Sequence, residues 1–295
     1  MITKKQFDVL EYLTDNSKKK SQRSIANALG ISVGTVNKIF AELSSLGFVE
    51  GTNLTEKGIE ALEPYKVKRA VIIAAGFGSR LVPITLNTPK PLIRVKGKKI
   101  IETTLDALKE IGIEEIYIVR GYLAEQFDEL LYKYPNIKFI ENKKYNESNN
   151  ISSIMCAKEY LSNAYIIEAD LLVYNSKIIT KYQYSSNYLT IPVEETDDWC
   201  LYTTNNVVTK VAIGGKNCYK MAGISYWSEE DAIKLAEDTE KVFNSLGGKE
   251  RYWDEVPLTY CKNNYKLNVR TCNIEDIVEI DTFNELKAID KTYDV

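Results

Sequence analysis

Two textures of apolar and polar positions divide the chain. Up to about residue 64 the apolar residues recur at helical spacing. Phe7, Leu10 and Leu13 mark one helix face, and the polar, basic stretch from Ser17 to Ser21 breaks it. Val36, Ile39, Phe40 and Leu43, continued by Leu46, form a second stripe at i, i+3, i+4 and i+7. Gly30 lies just before this stripe, where a tight turn between helices needs it, and Ser32 is a good N-cap. Phe48–Val49, a turn at Gly51 and Leu54–Thr55 predict a small hairpin, and Glu56 to Leu62 a closing helix.

Past a short linker, Glu63 to Lys66, the pattern changes. The run from Ala70 to Ala75 predicts a buried strand ending in glycines. Further strands are predicted over 116–119, 137–140 and 164–169, with helices over 101–111, 124–132 and 151–161 between them. Such alternation means a mostly parallel sheet covered by helices on both faces. Beyond residue 185 the segments 189–193, 200–203, 207–213 and 220–227 predict a mixed or antiparallel extension, and helices close the chain near 229–245 and 282–291. The expected domains are therefore 1–64 and 68–295.

Composition narrows the chemistry. The 295 residues are 44% hydrophobic and 27% charged, which is ordinary for a soluble globular protein. A net charge of −3 gives no overall pull toward nucleic acid or an anionic membrane. No apolar run reaches membrane-spanning length, so no membrane partner is expected. The five cysteines show no C-x-x-C pair and read as reduced thiols of a cytoplasmic protein. There is no histidine, which removes histidine triads, histidine-ligated zinc and histidine bases. Catalysis must rest on carboxylates, lysine, arginine, backbone amides and metal.

The strongest chemical signal is AAGFGSRLVPITLNTPKPL, residues 74–92, directly after a buried strand. That places it at the carboxyl edge of the sheet, where α/β folds bind ligands. Gly76 and Gly78 let the backbone, from Ala74 and Ala75 onward, approach a triphosphate. Arg80 offers a cationic fork for phosphate oxygens, and Lys90, between two prolines, a point charge near the reacting phosphorus. The strand over 166–170 ends in Asp170, a candidate Mg2+ ligand at the same sheet edge, the alternative being a cap for the next segment. Period two puts Glu279 and Asp281 on one face of a late strand, although Asp281 could simply cap the last helix.

The 74–92 string resembles the signature of the nucleotidyltransferases that activate sugar 1-phosphates, choline phosphate and related acceptors, over about residues 68–291. The resemblance implies a Rossmann-like α/β domain with a mostly parallel mixed sheet. It also implies Mg2+ as cofactor, held by Asp170, Glu279 and Asp281, with Arg80, Lys90 and Asp170 catalytic. The segments around Trp199, Gly223 to Trp227 and Tyr252-Trp253-Asp254 resemble bacterial choline-phosphate cytidylyltransferases in particular, whose partners are CTP and choline phosphate. On that resemblance Trp199, Tyr252, Trp253 and Asp254 form a cage for a quaternary ammonium, since aromatic faces and a carboxylate suit such a cation. Trp227 is expected to be structural. The resemblance also places the loop Tyr145 to Ser153 near the nucleotide and Arg120-Gly121-Tyr122 beside the base, making Asn149, Asn150, Gly121 and Tyr122 candidates for nucleotide contacts. Another acceptor remains open, namely a sugar 1-phosphate, phosphoethanolamine or an aminophosphonate.

Residues 1–64 resemble a small winged helix-turn-helix domain, which departs from the choline enzymes that begin at the glycine motif. Two readings stand for it. In one, residues 21–46 bind DNA, with Ser32, Thr35, Asn37 and Lys38 facing the groove and Lys18, Lys19, Lys20 and Arg23 giving a local basic edge. A homodimer is the common form of such binders. In the other, the domain docks protein or dimerises, and its eight basic and eight acidic residues cancel. In the DNA-binding reading, the catalytic domain could act mainly as a ligand sensor for a regulator.

Overall fold

The computed structural model describes residues 1–294 and divides into two units. The first comprises Met1–Lys66 together with Tyr182–Tyr184, and the second the remainder. In the first unit three helices, α1 (Lys4–Thr14), α2 (Gln22–Leu29) and α3 (Val33–Ser45), precede a short hairpin, β1 (Val49–Glu50) and β2 (Asn53–Leu54), and α4 (Glu56–Glu60). Each helix begins at a hydroxyl cap: Thr3, Ser21, Ser32 and Thr55 each accept from an amide of the first turn. Gly30 ends α2 in the left-handed conformation (φ 64°), which turns the chain into α3. Leu10, Leu13, Ile25, Val36, Leu43 and Leu62 are fully buried between these elements, each contributing roughly 1.5–3 kcal/mol of transfer free energy.

This core is completed from far along the chain. Tyr182 is buried in it, and the Tyr184 ring stacks on Tyr65 at 5.3 Å and meets Phe7 at 5.4 Å. The Gln183 amide donates to the Tyr65 carbonyl at 2.8 Å. Nothing in the sequence signals this long-range insertion.

The second unit carries β3 (Arg69–Ala74), the small hairpin β4 (Arg94–Val95) and β5 (Lys98–Lys99), and α5 (Ile100–Glu110). Then follow β6 (Glu115–Arg120), β7 (Ile137–Glu141), α6 (Ile151–Ala157), β8 (Ala164–Glu168) and β9 (Leu171–Val173). The last elements are β10 (Asn187–Thr204), β11 (Val207–Trp227), α7 (Glu229–Phe243), β12 (Asn268–Thr271), β13 (Ile277–Glu279) and α8 (Phe283–Ile289). The main sheet runs β10-β12-β11-β8-β3-β6-β7. β8, β3, β6 and β7 are parallel, and β11 is antiparallel to β8. Side chains alternate along β3: Ala70, Ile72 and Ala74 join the layer of α5, while Val71 joins that of α6 and α7. Both faces are covered, so the strand reads as one apolar run.

Two expectations are revised. The separate segments predicted over 189–193, 200–203, 207–213 and 220–227 are one long bulged hairpin, whose arms are β10 and β11, because solvated acids such as Glu194 and Glu195 sit inside a paired strand. Ala124–Tyr132 is a 3-10 helix rather than an α-helix. Its buried Phe127 and Leu130 are three apart, a spacing both helix types satisfy.

Candidate active site

The carboxyl ends of β3 and β8 open into a cavity of about 520 Å³. Ala74, Gly76, Gly78, Arg80 and Lys90 line it from the glycine segment, and Glu168 and Asp170 from the end of β8. Gly78 takes φ 63°, and a side chain there would press to 3.0 Å from Lys90 Cβ and 3.1 Å from Thr85 Cγ2. The turn therefore packs directly over the lysine. Lys90 is 8% exposed. Its ammonium donates to Asp170 at 2.7 Å and Asp281 at 3.2 Å. Burial works against that charge, but the two carboxylates outweigh it and hold the lysine above its ordinary pKa. Arg80 also donates to Asp281, at 2.6 Å, and is otherwise open to solvent.

The C-terminal acids arrive by strand pairing. β13 runs antiparallel to β9, setting Glu279 opposite Leu171, and the Ile280 amide donates to the Asp170 carbonyl at 3.1 Å. Thr282, not Asp281, caps α8, which leaves the Asp281 carboxylate for the two cations. Oxygens of Glu168, Asp170 and Glu279 lie within 4.8 Å of one another. Burial, then the neighbouring charges of Asp170 and Glu279, push Glu168 well above the usual carboxylate range. Burial, Asp170 and Asp281 push Glu279 up to about 8. One buried oxygen of Asp170 has no hydrogen-bond partner. An orphaned oxygen among crowded carboxylates is the donor set of a hard divalent cation. These three residues therefore fit Mg2+, and Asp281, joined to Asp170 through the Lys90 ammonium, stands beside them. In the strand expected over 166–170, period two puts Glu168 on the face of Asp170, although β8 itself ends at Glu168.

On the opposite wall stand Trp199, Tyr252, Trp253 and Asp254, joined by Tyr188 and Asp198. A register shift between Thr196 and Trp199 in the β10–β11 pairing sets the Trp199 position. Its ring meets that of Tyr252 edge-on at 6.0 Å. Trp253 is buried and stacks on Tyr188 at 6.3 Å, and Trp227 is wholly buried behind them. The Tyr188 hydroxyl donates to Asp254 at 2.9 Å. Burial pushes Asp254 up to about 7 against that hydrogen bond.

Of the expected nucleotide contacts, Ala74, Gly76, Gly78 and Asn150 line the cavity, whereas Ala75, Gly121, Tyr122 and Asn149 do not. Asn149 is spent on the 249–250 turn, through its amide to Lys249 and its side chain to Glu250. Asn150 accepts from the Trp253 amide at 2.9 Å and so ties the two walls together.

A family model described as nucleotidyl transferase matches residues 69–198, and one described as winged helix-turn-helix DNA-binding matches residues 2–50. A 2-aminoethylphosphonate cytidylyltransferase of Lancefieldella rimae is 36% identical over 228 residues, covering 76% of this chain and 92% of that protein. The chain belongs to the nucleotidyltransferase family. A choline-phosphate cytidylyltransferase of Haemophilus influenzae is 35% identical to this nucleotidyltransferase, over 75% of this chain and 95% of the relative. The solved CTP:phosphocholine cytidylyltransferase of Streptococcus pneumoniae superposes with a TM-score of 0.71 at 32% identity, covering 76% of this chain and 98% of its own. All three alignments leave about a quarter of this chain unmatched. No helix among the described residues is long and apolar enough to cross a membrane.

Proposed function

We propose that the enzyme transfers CMP from CTP to a small zwitterionic acceptor, choline phosphate first, releasing pyrophosphate. The observation that carries this is the meeting, in one cavity, of the Lys90–Asp170–Asp281 cluster with a wall of Trp199, Tyr252 and Trp253. The acceptor phosphate is already anionic, so its attack on the α-phosphorus needs no base, consistent with a chain that has no histidine. One P–O bond forms from the acceptor oxygen to the α-phosphorus, and the bond to pyrophosphate breaks. Lys90, aimed by its two carboxylates, neutralises charge that grows on the α-phosphoryl oxygens. Arg80, exposed at the rim, meets the outgoing phosphates. Glu168, Asp170 and Glu279 would hold Mg2+, which when bound supplies Lewis-acid charge neutralisation and a template for the triphosphate.

A second reading, 2-aminoethylphosphonate as acceptor, is favoured by the Lancefieldella rimae relative and by Asp198 and Asp254 in the wall, which could accept from a primary ammonium. The aromatic faces favour choline phosphate, because a quaternary ammonium offers no N–H to a carboxylate. Mass-spectrometric product analysis with equimolar choline phosphate, phosphoethanolamine and 2-aminoethylphosphonate separates these readings. Predominant CDP-choline supports the first, and a predominant CMP-phosphonate replaces it with the second.

For the first unit we propose DNA as partner, through residues 21–46, where Arg23, Ser32, Asn37 and Lys38 are exposed. Fluorescence anisotropy with random duplex DNA at low salt should show binding that weakens on K38E substitution. No binding at low salt would leave the domain as a protein-docking module.

A further inference from the structure

We infer that the ring of Phe77 is the platform on which the base of the nucleoside triphosphate stacks. This rests on the nucleotidyl-transfer reading of the cavity. Gly76 and Gly78 line that cavity, and Phe77 between them stands outside its lining, beside the cavity and 45% exposed. Its ring is not loose. Tyr122 stands against it at 5.0 Å and Tyr145 at 5.3 Å, both tilted.

The cluster is fixed to the backbone around it. The Tyr122 amide donates to the Ala75 carbonyl at 3.1 Å, and its hydroxyl donates to the carbonyls of Thr85 at 2.8 Å and Leu86 at 3.2 Å. Tyr145 packs so closely on Gly121 that a side chain there would come to 2.7 Å from Tyr145 Cβ. A rigid aromatic triad with one half-exposed face is built to receive another flat ring.

Sheet order says which ring. In the acceptor wall Trp199 and Tyr188 stand on β10, beyond β8 from β3, and the charged cluster sits at the ends of β3 and β8. Tyr122 follows β6 and Tyr145 follows β7, on the far side of β3 from the acceptor. A triphosphate anchored at Gly76–Lys90, with its acceptor on the β8 side, leaves the β6 side for the nucleoside. Above Gly76 there is open space: a Cβ built there meets nothing within 4 Å.

The test compares a ligand with a base against one without. CTP and inorganic tripolyphosphate are titrated against the full-length wild-type chain, F77A and F77W, with circular dichroism to verify folding. Stacking of a base on an aromatic side chain predicts that F77A weakens CTP binding about tenfold or more. Tripolyphosphate binding should be unchanged, and F77W should restore CTP. Equal weakening of both ligands would make Phe77 a shaper of the phosphate loop, and unaltered CTP binding would remove it from the nucleotide site; either overturns the inference. If the wild-type chain prefers another nucleotide to CTP, the cytidylyl assignment fails while the same comparison with that nucleotide still decides Phe77. A wild-type chain that binds every nucleotide no better than tripolyphosphate would overturn the platform.

Discussion

Replacing Lys90 with methionine separates the charge of this residue from its volume. The side chain is 10% exposed, and its ammonium is within hydrogen-bonding distance of Asp170 and Asp281. Methionine keeps most of the packing beneath Gly78 but leaves Glu168, Asp170, Glu279 and Asp281 short of a cation. Two effects follow, with opposite signs. Losing a fixed charge aimed at the developing transition-state oxygens should lower kcat by about 10²–10³. Removing a cation from beside the carboxylates proposed to hold Mg2+ should tighten its binding. Even at water-like screening, one unit charge a few ångströms from a divalent ion is worth about 1–2 kcal/mol, or about five- to thirtyfold in affinity. The assay is the Mg2+ dependence of pyrophosphate release, with Mg2+ binding followed independently by calorimetry. A kcat within about tenfold of wild type would refute the charge-stabilising role. A Mg2+ affinity that falls in step with kcat would make Lys90 an organiser of the carboxylates instead.

Three further outcomes are expected. Trp199→Ala and Tyr252→Ala should each raise the acceptor KM by about five- to thirtyfold, the worth of one cation–π face, and leave the CTP KM within about twofold; equal shifts in both constants would remove the cage. Asp254 has a folded pKa of about 7, above that of an ordinary carboxyl, so the folded chain binds the extra proton and loses stability as pH rises from about 4 to about 7. Asp254→Asn should flatten the fall of urea midpoint across that window, and an unchanged slope would contradict the burial assigned to it. Tyr184→Ala should destabilise the first unit by about 2–3 kcal/mol through lost ring contacts with Phe7 and Tyr65. Hydrogen exchange over residues 1–66 should read that loss, and unchanged protection would detach residues 182–184 from its core.

How much could be read from the chain depended on whether the signal was local. The glycine segment was legible because one short string carries the turn, the lysine and both prolines. The helix-turn-helix was legible because Gly30 and the Ser32 cap fall at fixed offsets from an apolar stripe. Glu168 gives a weaker signal than Asp170, because it stands inside an apolar run that reads as buried strand. Tyr188 gave no signal at all: its hydroxyl finds Asp254 across 66 residues, within a run that otherwise reads as core. Asn149 is marked by a loop resemblance and Gly121 by its expected place beside the base; in the structure Asn149 bonds the 249–250 turn and Gly121 packs against Tyr145. The Tyr182–Tyr184 insertion depends on tertiary contact alone.

The most direct test of the account is pyrophosphate release by the purified full-length chain with Mg2+, pairing CTP, UTP, dTTP, ATP and GTP with choline phosphate, 2-aminoethylphosphonate and glucose 1-phosphate. The account predicts fast release with CTP only, fastest with choline phosphate, and none in EDTA. Release with another nucleotide in place of CTP, or turnover that survives both EDTA and Asp170→Ala, would contradict it.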